Sequence, residues 1–359
     1  MRPQEDIHSN VKYRRVAVID CGTNTFNLRI VDILPGVEIG HRPWKRVFSL
    51  RLPVRLGKGG IDKGVIRPDR IARGLDAIGV MRETIRNYKT EEVYVIATSA
   101  LRDASNSDVF KESVKSRYGY DVQIISGATE ASLIQEGIEL TYSPPEGETV
   151  LTLDIGGGST ECVIWDNQKV VWARSFDVGV ARLQALFKIS GRFGDDAYEK
   201  MTPYLDDMFA PLALSLLNTN PTILVGSSGS FDTFYSLTKS VSKNDLKTGK
   251  NLKTGRNKSQ DNSKTKVKFH PRADAIDLKE FDVLVDVLFR NTLQDRLNMK
   301  GMPPDRADLI PYASAIVKWV QNKTEINSFY RSKYAVREGV LNRIVKGNQV
   351  IPGLASSLV

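Results

Sequence analysis

Apolar and polar positions alternate along this chain in short bursts, and the bursts recur in the same order in its two halves. Residues 151–166, LTLDIGGGSTECVIWD, run apolar into an acid, break at three glycines and small polar residues, then resume the apolar pattern. That pattern predicts a strand, a tight turn and a returning strand. VIDCGTNTFNLRIVD, residues 18–32, lies over residues 152–166 without a gap, matching Asp20 to Asp154, Gly22 to Gly156, Thr25 to Ser159 and Asp32 to Asp166. In the first half there follow VFSLRLPVRLG, a helical spacing from Pro68 to Tyr88, the strand EVYVIAT and a polar turn at Thr98 and Ser99. In the second half the corresponding order is WARSFDVGVARL, a helical spacing from Ala197 to Leu217, the strand TILVG and the small-residue turn SSGS. A duplicated α/β unit is the simplest reading.

The length of 359 residues suits two such units, each with its own core, and 41% hydrophobic residues can fill both. No apolar run approaches the eighteen or so residues of a membrane span, and MRPQEDIHSN carries acids where a secretory leader is basic and then apolar. A cytoplasmic protein without a membrane partner is therefore expected. Only Cys21 and Cys162 are present, beside the two proposed turns, and they fit small buried hairpin positions better than a disulfide or zinc framework.

The net charge is +9, but its location changes its meaning. Between Lys239 and Lys268 lie ten basic residues against Asp245 and Asp261, which is almost the whole excess. This segment is rich in Ser, Asn, Thr and Gly and has no aromatic residue, so it predicts a mobile basic loop over 239–268. Without aromatic residues for stacking or a reading helix, nucleic acid ranks last among its partners.

The repeated turns carry the candidate chemistry. Each has an aspartate delivered by a strand, then Gly and a hydroxyl residue, which is a phosphate cradle with an acid beside it. Gly22, Thr23, Asn24 and Thr25 form one cradle (loop 20–25). Gly156, Gly157, Gly158 and Ser159 form the other (loop 154–161). Ser99 is a further donor, and Gly226, Ser227, Ser228 and Gly229 form a third small-residue turn. Asp20 and Asp154 beside phosphates make sense chiefly as holders of a hard divalent cation, Mg²⁺ or Mn²⁺. His8, His41 and His270 have no motif around them, which argues against histidine-based catalysis or a zinc hydrolase.

AVIDCGTNTFNLRI, VIATSALRDASN, IISGATEASLI, LDIGGGSTE and VGSSGSFDT, with RADLIPYASAIV and AVREGVL near the C-terminus, together resemble the exopolyphosphatase and guanosine pentaphosphate phosphohydrolase family. That family sits within the actin-like, sugar kinase and Hsp70 superfamily. The resemblance covers nearly the whole chain. It implies an α/β fold of two RNase H-like lobes facing across a cleft, lobe I over 1–138 and lobe II over 139–325, with the helical segment 326–359 returning to lobe I. It implies metal-dependent release of terminal phosphate from inorganic polyphosphate or guanosine pentaphosphate. Phosphoanhydride hydrolysis needs charge neutralisation, in-line water and a group to activate that water. By resemblance Glu130 is the base, Glu161 holds metal or orients water, and Arg102 offers a planar fork to phosphate oxygens.

This chain departs from the family pattern in three places. Asn27 stands after TNTF where a basic residue is usual, Thr129 and Ser132 replace the usual acidic and arginine neighbours of the glutamate, and the chain ends soon after AVREGVL. Missing cations weaken the grip on a long polyanion more than on a short one, unless loop 239–268 or a homodimer supplies basic surface. A phosphohydrolase leads, with inorganic polyphosphate ahead of guanosine pentaphosphate. A sensor binding a polyphosphorylated nucleotide without turnover and a superfamily kinase are the alternatives.

Overall fold

A computed structural model describes residues 13–34, 36, 43–90, 92–244, 273–348 and 357–358. Of the basic segment expected as a loop over 239–268, residues 239–244 are instead the last turn and a half of a helix, and 245–268, with all three histidines, lies outside the described residues.

The chain folds into the expected two-lobed α/β architecture. In the first lobe, β1 (Arg14–Cys21) turns antiparallel into β2 (Thr25–Ile33) and β3 (Trp44–Pro53). Helix α1 (Pro68–Asn87) then crosses to β4 (Glu92–Ala97), which pairs parallel with β1. Two helices follow, α2 (Ser99–Arg102) and α3 (Ser107–Tyr118), then β5 (Val122–Ile124) beside β4. Helix α4 (Gly127–Glu139) leads into the second lobe. There β6 (Val150–Ile155), β7 (Thr160–Trp165) and β8 (Val170–Phe176) repeat the antiparallel meander, and helices α5 (Val180–Phe187), α6 (Gly194–Met208) and α7 (Ala210–Thr219) lead to β9 (Ile223–Ser227), parallel to β6. Helix α8 (Ser228–Asn244), β10 (Ala273–Ala275), α9 (Leu278–Arg290), α10 (Leu293–Leu297), α11 (Ile310–Gln321) and β11 (Ser328–Ser332) complete this lobe.

The ungapped alignment of the two halves reappears as identical hairpin geometry. Asp20 faces Asn27 across the β1–β2 pair, and Asp154 faces Glu161 across β6–β7. The turn closes with Gly22 N–H on Thr25 O at 3.1 Å in one and Gly156 N–H on Ser159 O at 3.0 Å in the other.

Two expectations are corrected. The helical spacing from Ala197 to Leu217 is two helices, because Pro211 lacks an N–H and its ring clashes with the preceding turn, so the helix stops at Met208 and restarts. The segment SSGS is a junction rather than a turn: β9 ends at Ser227 and α8 begins at Ser228, whose φ of 67° makes the sharp change of direction.

Each lobe has its own apolar core, and a third cluster joins them. Helix α4 and helix α12 (Val336–Val345) lie between the sheets, contributing Leu133, Ile138, Val340 and Leu341 to this cluster beside Val18 of β1 and Val225 of β9. They cross at glycines. A Cβ on Gly339 would lie 1.9 Å from Leu133 O, and one on Gly137 would lie 2.3 Å from Ala335 O. The segment from 326 onward thus divides: β11 stays in the second sheet, α12 packs against α4, and β12 (Ser357–Leu358) adds to β4 of the first sheet. Among the described residues no helix is long and apolar enough to cross a membrane.

Candidate active site

The two hairpins meet tip to tip where the lobes face each other. A Cβ on Gly157 would lie 2.7 Å from Asn24 Nδ2 and 2.8 Å from Thr23 Cβ, and one on Gly158 would lie 2.6 Å from Ser99 Oγ. These glycines serve the close approach of one lobe to the other. Interlobe ion pairs hold that approach: Arg55 grips both oxygens of Asp308 at 2.9 Å, Arg51 pairs with Asp305, and Arg182 reaches Asp103 at 2.6 Å.

Beside the tips lies a cavity of about 330 Å³. Its walls take Asp20, Gly22, Thr23, Asn24, Thr25 and Asn27 from the first hairpin, and Asp154, Gly156, Gly157 and Ser159 from the second. Ser99, Glu130, Ser228 and Gly229 complete the sequence-predicted set that reaches it. Five predicted residues do not line it. Gly158 is taken up by the Ser99 contact. Gly226 packs under the Phe231 ring, where a Cβ would lie 1.9 Å from Cδ1. Ser227 is fully buried and donates to Asp154 Oδ2 at 2.5 Å. Glu161 and Arg102 stand behind Glu130 rather than in the wall.

Glu130 sits in the first turn of α4, whose N-terminus is capped by Ser126 Oγ accepting from Thr129 N–H at 3.1 Å. It is buried, and Arg102 Nη1 donates to its Oε2 at 2.9 Å. Burial raises the Glu130 pKa well above the usual carboxylate range, and nearby Glu161 raises it further against the pull of Arg102. Glu161, whose Oε1 accepts from Ser175 Oγ at 2.8 Å, is raised by burial and by Asp154. The two glutamates are close enough that ionising one disfavours ionising the other, so they titrate as a pair.

Asp20 is pushed up to about 6 by burial, opposed by Arg337 and by the amide of Asn27, which donates to its Oδ2 at 3.2 Å. Burial also raises Asp154, although Ser227 and Ser228 both donate to its Oδ2 at 2.5 Å. The Cys21 and Cys162 thiols are buried and raised well above the ordinary range, which keeps both as inert packing groups.

The predicted ion set Asp20, Asp154 and Glu161 is not assembled. Among the described residues no group of three His, Cys, Asp or Glu side chains is placed to hold a metal. Asp20 and Asp154 alone do fit one: both line the cavity, and the charge of Asp154 raises the cost of ionising Asp20, a cost that a divalent cation relieves. Two carboxylates with the remaining positions left to water and phosphate oxygens is the usual habit of Mg²⁺.

Sequence reasoning missed the cavity's cations, Arg51, Arg306, Lys333 and Arg337. Arg306 is half-buried and lies over Gly229, where a Cβ would come within 2.1 Å of its Nη2. Its guanidinium makes no hydrogen bond or ion pair among the described residues, and burial with Arg51 nearby lowers its pKa to about 10. Such a group favours an anion from solution. Arg306 and Arg337 open the segments RADLIPYASAIV and follow the first two residues of AVREGVL, so the signal was present as a motif without an assigned role.

The geometry is matched by relatives. The chain is 30% identical to a solved exopolyphosphatase from Cytophaga hutchinsonii, with a TM-score of 0.81 over 94% of this chain and 99% of that one. A Haemophilus influenzae protein whose name offers exopolyphosphatase as a provisional assignment is 26% identical over 96% of this chain and 95% of its own length. A guanosine-5'-triphosphate,3'-diphosphate pyrophosphatase of Vibrio atlanticus is 25% identical over 92% of this chain, which spans 59% of that protein. The Ppx/GppA phosphatase family matches residues 37–347, and the chain belongs to that family, whose members are phosphoanhydride hydrolases.

Proposed function

We propose that this enzyme releases the terminal phosphate of inorganic polyphosphate, with Glu130 activating the attacking water. The convergence of Glu130, the two hairpin aspartates and the guanidinium of Arg306 on one cavity carries this reading. The hairpin backbone and the hydroxyls of Thr25 and Ser159 cradle phosphate oxygens, and Arg306 and Arg337 neutralise the chain beyond the scissile bond. Glu130, with its raised pKa, accepts a proton from water near neutral pH, while Arg102 fixes the carboxylate's orientation. Asp20 and Asp154 would hold Mg²⁺ or Mn²⁺, which neutralises charge on the transferred phosphoryl group when bound. No aromatic ring lines the cavity among the described residues, which favours inorganic polyphosphate over a guanine nucleotide.

The test measures phosphate release from long polyphosphate, short polyphosphate and guanosine pentaphosphate with Mg²⁺, for wild type and Glu130→Gln. Release from polyphosphate that drops about 1,000-fold in the variant is expected. Preference for guanosine pentaphosphate would reassign the substrate. Nucleotide binding without release from any of the three would point to a sensor.

A further inference from the structure

The geometry points to Arg182 as a positioning residue that links lobe closure to the orientation of Glu130. Like Arg51 and Arg55 it holds both lobes at once, and its partner in the other lobe is the neighbour of Arg102. At the start of α5 its backbone N–H donates to Gly157 O at 3.2 Å and its Nε donates to Gly158 O at 3.2 Å, so it is fastened to the second hairpin. From there its Nη2 crosses to the first lobe and donates to Asp103 Oδ2 at 2.6 Å. The other oxygen of Asp103 lies 3.7 Å from Arg102 Nε, and Arg102 Nη1 holds Glu130 Oε2 at 2.9 Å. A chain of four alternating charges therefore runs from the second hairpin to the candidate base.

The order of distances shows what Arg182 does. Asp103 lies between two guanidinium groups and is closer to Arg182, at 2.6 Å, than to Arg102, at 3.7 Å. These side chains are half-buried, where an unpaired carboxylate attracts a neighbouring cation strongly. With Arg182 in place Asp103 is satisfied, and Arg102 turns its Nη1 to Glu130. Without Arg182, Asp103 competes with Glu130 for Arg102, and the carboxylate loses the contact that orients it. Since Arg182 belongs to the second lobe and the other three to the first, the base is fully oriented only when the lobes close.

This inference rests on the reading of Glu130 as the base. Steady-state phosphate release is measured for Arg182→Met, Asp103→Asn, their double variant, Arg182→Lys and Glu130→Gln, on the polyphosphate that the wild type hydrolyses. Arg182→Met should lower kcat by about 100-fold with KM little changed, because the defect is in alignment rather than substrate binding. Adding Asp103→Asn should restore most of that loss, since the competing carboxylate is gone, and Arg182→Lys should be partly active. If Arg182 were only a clasp between lobes, Asp103→Asn would be as damaging as Arg182→Met and the double variant no better, and that result overturns the inference. An unchanged kcat in Arg182→Met alongside an inactive Glu130→Gln also overturns it. A fully active Glu130→Gln would instead remove the reading of the base on which it rests.

Discussion

The two hairpins share a backbone and an aspartate but differ in everything that surrounds the aspartate. In the first, Asp20 faces Asn27 and receives a single amide donor at 3.2 Å. In the second, Asp154 faces Glu161 and receives two serine hydroxyls at 2.5 Å, one from the end of β9 and one from the start of α8. The tips differ as well, Thr23 and Asn24 against Gly157 and Gly158, so side chains of one lobe fit into space left by glycines of the other. A duplicated scaffold has thus been divided in function. The first hairpin offers polar donors and an adjustable acid, and the second supplies buried negative charge that acts on Glu130.

Making the second hairpin like the first should have the largest effect. Glu161→Asn removes a carboxylate that raises the Glu130 pKa, so turnover should fall by about 100-fold, and the pH below which kcat declines should move lower than in the wild type. A variant as active as the wild type would show that the second hairpin's charge is incidental. The reverse change, Asn27→Glu, places a second carboxylate opposite Asp20 in the cavity wall. It should raise KM for polyphosphate by about tenfold, with a smaller change in kcat, as expected for a like charge facing an anionic substrate. Equal effects on KM and kcat would mean that residue 27 contacts the reacting phosphate.

The smallest expected effect is on stability. The folded pKa of Asp20, about 6, lies above the value of about 4 for an unfolded carboxyl, so its protonation favours the folded state. That contribution is complete below about pH 4 and is lost as pH rises through about 6. Through this group, metal-free protein should melt at a lower temperature at about pH 7 than at about pH 5, and Asp20→Asn should flatten that part of the slope. An unaltered slope would show that Asp20 is ionised at no cost in the free protein.

Much of this was legible in local pattern. Hairpin residues are neighbours in sequence, so the alternation of apolar positions, the acid at the strand end and the small residues at the turn specified both cradles and their register. The Ser126 cap with Glu130 in the following turn is equally local. Glycine roles were harder to read. Gly226 looks like part of a phosphate turn in sequence, but the Phe231 ring packed against it accounts for the missing side chain. The break in the helical spacing of the second half lies just before Pro211, but Pro203 sits inside α6 without ending it, so the prolines by themselves did not place the break.

The sequence by itself determined two related α/β halves, the paired aspartate turns and the family whose motifs they carry, because these depend on residues a few positions apart. Tertiary structure alone decided which charges meet. Arg306 reaches the cavity only because α8 leaves Gly229 bare beneath it, and Glu161 stands behind Glu130 only because α4 packs against the second sheet. Arg182 joins Asp103 across the lobes by the same kind of contact. Electrostatic interactions act through space over a few ångströms, and residues far apart in sequence come within that range only when both lobes are folded and closed.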